Sequence, residues 1–293
     1  MAEIIDGKFY SEQIKQEVKK ETEELEARYG ITPGLAVILV GDDPASQSYV
    51  RSKEKVSKEM GFYSVTERRP SSITEEELLT LLHHYNNDAK IHGILVQLPL
   101  PRHINEQRVI AAINPEKDVD GFHPTTLGKL LLGEDTLKPC TPAGIQELLI
   151  RSGNDPRGKH VVVVGRSNIV GKPIAMMLMQ KQHGANAIVT IVHTAAQDIS
   201  VYTRQADILI AAMGKPEIIH GSMIKEGTVV IDVGINRVAD SLSPKGYKIV
   251  GDVHFESAAQ KAKAITPVPG GVGLMTVAML MKNTLKAAKS FVR

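Results

Sequence analysis

Apolar and polar residues follow one another along the chain in blocks whose spacing changes between that of strands and that of helices. Two continuous apolar runs, Gly34 to Val40 and Gly93 to Leu98, predict strands that are buried on both faces. Charged stretches with apolar residues at helical spacing predict helices over residues 11–28, 46–60 and 74–85, and Ser46 is suited to cap the second of them. This alternation is typical of an α/β fold.

The second half of the chain repeats the pattern. A helix that begins at Thr141 and Pro142 leads into strands predicted at 159–164, 187–192, 207–212 and 228–233. A small residue follows each strand, namely Gly165, Thr194, Gly214 and Gly234. Because the carboxyl ends of parallel strands meet at one edge of a sheet, we expect these loops to form a single ligand-binding edge. A hairpin is expected through Ser243, Pro244, Lys245 and Gly246.

Composition and charge narrow the class of protein. The 293 residues suffice for two domains, and 42% hydrophobic with 23% charged residues is ordinary soluble composition. Lys and Arg (35) nearly balance Asp and Glu (33) without a basic block, so nucleic acid is not an expected partner. The single cysteine, Cys140, excludes an internal disulfide, and no apolar stretch approaches the length of a membrane span. We therefore expect a cytoplasmic protein without membrane partners.

The stretch Val161 to Pro173, VVVVGRSNIVGKP, indicates a nucleotide site. Gly165 allows a tight turn after a buried strand, and the amides around Arg166, Ser167 and Gly171 can point at a pyrophosphate near the start of the next helix. The spacing differs from the common G-x-G-x-x-G pattern, because Ser167 replaces the second glycine and Gly171 comes one place late. A strand, turn and helix without a ligand therefore remains the alternative.

The cofactor predicted for this site is NADP. An NAD site usually has an acidic residue after the second strand to bind the ribose 2′-hydroxyl, but here that strand ends in His193 and Thr194. Arg166 lies inside the glycine turn, and a guanidinium group suits a 2′-phosphate. The alternative is that Arg166 is an ordinary exposed loop arginine.

Lys53 is the candidate acid and base. Tyr49, Lys53, Val56 and Met60 are spaced four, three and four apart, so they share one helix face and the lysine occupies an apolar position. An amine held out of water favours its neutral form, which a general base needs. The alternative is a solvated charge, as expected for most lysines in a sequence such as RSKEKVSKE.

Other polar residues occupy places where ligands bind. Gln97 interrupts an apolar strand at its carboxyl end, although backbone contacts alone could satisfy it. In the loop PEKDVDGFHP we interpret Asp120 as a hydrogen-bond acceptor for a substrate and Asp118 as structural, although loop aspartates more often form turns. No third oxygen ligand is spaced for a cation, so no metal site is predicted. Gly270, Gly271 and Gly273 let the backbone approach a ligand before the last helix.

The chain resembles the bifunctional methylenetetrahydrofolate dehydrogenase and methenyltetrahydrofolate cyclohydrolase family over essentially its whole length. The resemblance is carried by VGDDPASQSYVRSKEK, GILVQLPLP, PEKDVDGFHP, PCTPAGIQELL, VVVVGRSNIVGKP, ADILIAAMGKP, VVIDVGIN and TPVPGGVG. It implies two α/β domains around a cleft and a homodimer. A folate-binding catalytic domain would span 1–140 plus 275–293, and a Rossmann-like NADP-binding domain would span 141–274.

The family's activity implies roles for matching residues. The reaction would be oxidation of 5,10-methylenetetrahydrofolate by NADP to the methenyl cation, followed by hydrolysis to 10-formyltetrahydrofolate. Lys53, Gln97 and Asp120 would be catalytic, with Gln97 holding Lys53 and Asp120 accepting from the pterin. Tyr49 would stack on the aminobenzoyl ring, and Gly271 would also contact the folate. The residues that would line the cofactor are Thr141, Gly165, Arg166, Ser167, Thr194 and Ile235.

Three departures from the family pattern bear on these roles. Ala195 stands where a basic residue often follows the strand, Leu274 replaces a proline, and His254 replaces an aspartate. We expect weaker NADP preference from the first and a looser loop from the second, whereas the pattern offers no account of His254. The alternatives are a monofunctional member of the family, an NADP dehydrogenase of a small hydroxy acid, and a non-catalytic nucleotide-binding protein.

Overall fold

A computed structural model of the chain describes residues 2–241, 243 and 246–292. The chain forms two compact units. Unit 1 runs through Ser11 and from Thr141 to Thr276, and unit 2 runs from Glu12 to Cys140 and from Val277 onward. Both contain parallel strands with helices between them, which confirms the predicted α/β class.

The strands and helices are numbered in chain order. The strands are β1 (Glu3–Ile4), β2 (Gly34–Val40), β3 (Tyr63–Arg69), β4 (Gly93–Val96), β5 (His160–Val164), β6 (Ile188–Val192), β7 (Ile208–Ala211), β8 (Val229–Asp232), β9 (Asn236–Ala239), β10 (Tyr247–Val250) and β11 (Ala264–Ile265). The helices are α1 (Gly7–Tyr29), α2 (Pro44–Glu59), α3 (Glu75–Asn87), α4 (Glu106–Ala111), α5 (Pro124–Leu132), α6 (Cys140–Arg151), α7 (Gly171–Met179), α8 (Ser200–Thr203), α9 (Phe255–Ala259) and α10 (Val272–Lys289).

Unit 2 is built on a three-stranded parallel sheet in the order β3-β2-β4. Every residue of β2 is buried, as the continuous apolar run predicts. A parallel bridge between Ile94 and Asp118 lies beside β4, where the Ile94 amide donates to Lys117 O at 2.8 Å. Residues just after β4 and just after Asp118 therefore emerge at the same sheet edge.

Unit 1 is built on six parallel strands in the order β1-β11-β8-β7-β5-β6. The valines of β5 are fully buried, and β5 lies between β6 and β7, so successive strands are added on opposite sides of it. Such a topological switch point leaves a crevice at the carboxyl ends of the strands, where ligands of open α/β sheets bind. Strands β9 and β10 form the antiparallel pair of the predicted hairpin, and Pro244 and Lys245 of its turn lie outside the described residues.

Three predicted boundaries differ from the structure. The resemblance predicts one domain over 1–140 plus 275–293, whereas the segment through Ser11 and residues 275–276 belong to the compact unit 1, where β1 pairs with β11 through backbone bonds. Asp43, and not Ser46, caps α2, because its carboxylate accepts from the Ser46 amide at 2.7 Å and Pro44 occupies the first helical position. Helix α6 begins at Cys140, so Thr141 lies inside its first turn.

None of the helices in the described part of the chain combines the length and apolarity needed to span a bilayer.

Candidate active site

Lys53 lies on the buried stripe of α2, the helix that follows the central strand of unit 2. Val50 and Ser57 flank it at helical spacing, and the lysine itself is only 7% exposed. Its Nζ donates to Gln97 Oε1 at 3.0 Å. The position on the apolar face thus predicts the burial correctly, and the amine is held by a neutral amide oxygen.

Gln97 is oriented by the backbone around it. Its amide nitrogen donates to Ile38 O in β2 at 2.8 Å, which continues the sheet one residue beyond β4. Its side-chain Nε2 donates to Leu98 O at 2.8 Å, so that Oε1 faces Lys53. The polar interruption of this strand therefore fixes the direction of the lysine amine.

Asp120 is half-buried and follows the segment that bridges to β4. Burial raises the pKa of this carboxyl group, and the nearby charge of Lys53 opposes the rise. Asp118 is 1% exposed, and its carboxylate accepts from the His123 amide at 2.7 Å, so it stabilises the turn as predicted. Of the two aspartates, Asp120 is the one available to a ligand.

Two residues that support Asp120 escaped the sequence reasoning. Asn283 of α10 is 5% exposed, and its Nδ2 donates to Val119 O at 2.8 Å and to Lys138 O at 2.7 Å. The Cys140 thiol donates to Val119 O at 3.2 Å, and burial raises its pKa, which keeps it protonated as a donor. A polar residue at a buried position of the apolar helix α10 is the signal that could have identified Asn283.

The remaining predicted folate residues lie in different settings. Tyr49 is one turn before Lys53 on α2, and the residue is 41% exposed. Gly271 is buried in unit 1 directly before α10. The structure thus leaves the Tyr49 ring open to a stacking partner, whereas Gly271 can offer only backbone.

The glycine turn of unit 1 lies at the switch point between β5 and β7. Gly165 is buried with φ of 135°, and a Cβ there would lie 2.1 Å from Ala212 O, just beyond β7. Only glycine fits both the dihedral angle and this close approach. The turn therefore passes along the edge where a dinucleotide binds in such sheets.

Two residues in this turn have different environments. Arg166 is exposed, as a phosphate clamp requires. The Ser167 hydroxyl accepts from the amides of Val170 at 3.2 Å and Gly171 at 3.3 Å, so it binds the backbone where the turn meets α7. The Gly171 amide, expected to face a pyrophosphate, is therefore already engaged.

The other predicted cofactor residues belong to unit 1 as well. Thr194 and Ile235 follow β6 and β8 at the carboxyl edge, and both are exposed, Ile235 by 49%. Thr141 is half-buried and shares a hydrogen bond of 2.9 Å with the Thr276 hydroxyl. Residues from three strand ends are thus placed along one edge, while Thr141 comes from α6.

These features define the class of protein. Unit 1 has the parallel sheet, switch point and glycine turn of a dinucleotide-binding α/β unit, and unit 2 is an α/β unit with a buried, hydrogen-bonded lysine. Residues 5–120 match the catalytic domain of tetrahydrofolate dehydrogenase/cyclohydrolase, and residues 139–292 match the NAD(P)-binding domain of the same family. The chain belongs to the tetrahydrofolate dehydrogenase/cyclohydrolase family.

Known relatives cover the whole chain. The bifunctional protein FolD of Moorella thermoacetica is 59% identical over 288 residues, which are 98% of this chain and 99% of the relative. The crystal structure of the Campylobacter jejuni bifunctional FolD enzyme has a TM-score of 0.93 at 48% identity and covers 99% of each chain. The Trypanosoma brucei FolD structure, complexed with NADP cofactor and inhibitor, has a TM-score of 0.94 at 42% identity and covers 100% of this chain and 99% of its own.

Proposed function

We propose that the protein oxidises 5,10-methylenetetrahydrofolate to 5,10-methenyltetrahydrofolate with NADP and hydrolyses the product to 10-formyltetrahydrofolate. Family membership and full-length similarity to bifunctional relatives support both steps. The observation that carries the proposal is the buried Lys53 amine, held at 3.0 Å by Gln97 Oε1.

Lys53 serves the hydrolytic step. Water adds to the methenyl carbon and loses one proton, which leaves a hydroxyl group on that carbon. As the bond from the carbon to the ring nitrogen breaks, the nitrogen takes up a proton and the hydroxyl proton leaves, so that one proton is released overall. An amine at this place can accept the proton of the attacking water and deliver a proton to the ring nitrogen, and Gln97 keeps it directed at the reacting atoms. A positioned acid or base of this kind contributes a factor of about 10²–10⁴ to the rate.

The folate is held by residues of complementary chemistry. Asp120 presents a half-buried carboxylate to the amide and amino donors of the pterin, and Asn283 and Cys140 fix the residue before it. Tyr49 stacks its exposed ring on the aminobenzoyl group. Gly271 adds a backbone contact.

NADP supplies the hydride acceptor when it is bound. Gly165 lets the backbone pass close to the dinucleotide, and the exposed Arg166 binds the 2′-phosphate. Thr194 is followed by Ala195 and Ala196, which add no cation, so preference for NADP over NAD depends on Arg166. Further contacts come from Thr141, Ser167, Thr194 and Ile235.

The proposal includes a cytoplasmic homodimer, as in the family that the motifs resemble. Static light scattering on the purified protein tests the dimer, since a mass near twice the 31.9 kDa of the chain is expected.

One assay tests the two activities together. Methylenetetrahydrofolate is added with NADP or NAD, and reduced nicotinamide and methenyl absorbance are followed at once. Reduced cofactor without a lasting methenyl signal is expected, because the second step consumes the product of the first. Accumulating methenyl would indicate a dehydrogenase alone, and NADP binding without any change in the folate spectrum would indicate a non-catalytic protein.

A further inference from the structure

The loop that follows β7, residues 212–215, lies beside the glycine turn of unit 1. The Ala212 amide donates to Val164 O at 2.8 Å, and Ala212 O occupies the space that a side chain on Gly165 would need. The two loops therefore form the two sides of the switch point, and the path of one limits the path of the other.

Three consecutive amides of this loop converge on one carboxylate. Asp252 Oδ2 accepts from Met213 N at 2.5 Å and from Gly214 N at 2.9 Å, and Oδ1 accepts from Lys215 N at 3.0 Å. The Asn236 side chain donates to Oδ1 at 2.9 Å, and Asp252 is fully buried. Successive amides arranged in this way form a concave anion site, and here the chain fills it with its own carboxylate.

The backbone of Asp252 is in turn bound by a second buried carboxylate. Asp232, the last residue of β8, accepts from the amides of Asp252 and Val253, each at 2.9 Å. A Cβ on Gly251 would lie 1.8 Å from Asp232 Oδ2, so the segment can approach this closely only with glycine. The two aspartates thus tie the segment after β10 to the ends of β8 and β7.

We propose that Asp252 is a positioning residue for the dinucleotide, because it fixes the backbone of Met213–Lys215 in the shape against which the cofactor binds. The proposal rests on the proposed function in treating this edge as the NADP site. Asparagine at position 252 would retain one acceptor oxygen but turn an NH₂ group toward amides that also donate, so the loop would have to move. A displaced loop weakens binding without removing any group that touches NADP.

The test is the affinity of Asp252→Asn for NADP, measured by calorimetry in the absence of folate and compared with the KM for NADP. Both Kd and KM are expected to rise about tenfold, with kcat at saturating NADP within about threefold of the unmodified protein. Hydrolysis of added methenyltetrahydrofolate, which needs no NADP, is expected to stay unchanged. If the substitution only lowered stability, NADP-dependent oxidation and methenyltetrahydrofolate hydrolysis would fall together.

Asp207→Asn is the matched control. Its carboxylate also accepts a backbone amide, that of His160 at 2.8 Å, but at the amino end of the same sheet. It is expected to lower the melting temperature and leave NADP affinity unchanged.

If Asp252→Asn does not fold, Asn236→Ala removes one donor and leaves the carboxylate and its three amides in place, and a rise in Kd of about two- to fivefold is expected. Unchanged NADP affinity in the folded variant overturns the proposal. Failure of the unmodified protein to bind any dinucleotide would overturn the proposed function along with it, whereas NADP binding without folate oxidation would overturn only the proposed function.

Discussion

The carboxyl edges of the two parallel sheets are built in different ways. In unit 2 the candidate residues are joined by side-chain bonds, with Lys53 on Gln97 and Asn283 on the segment before Asp120. In unit 1 the predicted cofactor side chains Arg166 and Ile235 are exposed. Turns and amide contacts shape that edge instead. In the proposed function, the chemistry of unit 2 therefore depends on side-chain identity, and recognition of the dinucleotide by unit 1 depends largely on the path of the backbone.

The departures from the family pattern follow this division. Ala195, His254 and Leu274 all belong to unit 1. Leu274 lies in the first turn of α10, where the usual proline contributes a preset φ and no hydrogen bond. Because the backbone shapes the carboxyl edge of unit 1, we expect that edge to tolerate these side-chain differences as long as the backbone hydrogen bonds are kept.

Replacing the amine of unit 2 should have the largest effect. Lys53→Met is expected to reduce the hydrolysis of added methenyltetrahydrofolate by about 10²–10⁴-fold, because the proposed acid and base is removed. The rate is measured after subtraction of the uncatalysed reaction. Lys58→Met, on an exposed face of the same helix, is the control and should keep full activity. Full hydrolysis by Lys53→Met would remove this residue from the mechanism.

The second-largest effect is expected from replacing Asp120, the proposed hydrogen-bond acceptor for the folate. Asp120→Ala is expected to raise the KM for the folate about 10- to 100-fold, because two pterin donors lose a charged acceptor. Asp118→Asn is the control. It is expected to lower the melting temperature, since Asp118 holds the His123 turn, while folate affinity is kept. Unaltered folate affinity in Asp120→Ala would contradict the assigned role.

Arg166 is the exposed side chain of unit 1 that is proposed to bind the 2′-phosphate of NADP. Arg166→Ala is expected to lower the ratio of kcat/KM for NADP to that for NAD by about tenfold, because the 2′-phosphate loses its cation. The exposed Arg157, which precedes the amino end of β5, provides the control substitution Arg157→Ala. An unchanged ratio would show that Arg166 is an ordinary loop arginine.

Local patterns predict much of the fold and part of the site. Strand β2 was predicted with its observed bounds because burial on both faces gives a continuous apolar run. The burial of Lys53 could be predicted because helical spacing decides which residues share a face. These features depend on neighbours in sequence, so a single chain reveals them.

Long-range polar contacts could not be predicted in the same way. Asn283 and Val119 are 164 residues apart, and Asp252 and Met213 are 39 apart, so no spacing indicates either pair. Their partners are backbone groups, which every residue type carries, and the partner's sequence therefore holds no signal. Strand β1 was missed for the same reason, since its two residues pair only through the backbone.

The stability of unit 1 is expected to depend on pH through Asp232. Burial raises the pKa of Asp232 from 3.8 to about 6, so the folded state binds more protons than the unfolded state between these values. The contribution of Asp232 to stability is therefore lost as pH rises through 6, by about 1 kcal/mol between pH 5 and pH 7. Urea unfolding at pH 5 and pH 7 measures the free energy of unfolding of the unmodified protein and of Asp232→Asn. The unmodified protein is expected to lose stability relative to the variant at pH 7, and an equal difference between the two proteins at both pH values would contradict the raised pKa.

The smallest effect is expected at His254, which stands where the family pattern has an aspartate. Its Nδ1 lies 3.0 Å from Ser257 Oγ and accepts from Ser257 N at 3.4 Å, so it caps α9, and its ring stacks on His220 with centroids 5.3 Å apart. His254→Ala should cost about 1 kcal/mol of unfolding free energy, whereas His254→Asp should remain within about 0.5 kcal/mol of the unmodified protein.

The two variants His254→Ala and His254→Asp test whether the aspartate of the family pattern can be replaced by histidine because both side chains can cap α9. NADP affinity should be unchanged in both variants, because the His254 cap contacts Ser257 of α9, whereas the loop after β7 is held by Asp252. If His254→Ala is as stable as the unmodified protein, the cap does not explain the exchange, and the stacked His220 ring becomes the remaining contact to test. If His254→Asp alone keeps the stability, a retained acceptor for the Ser257 amide is sufficient, as expected where the backbone defines the structure.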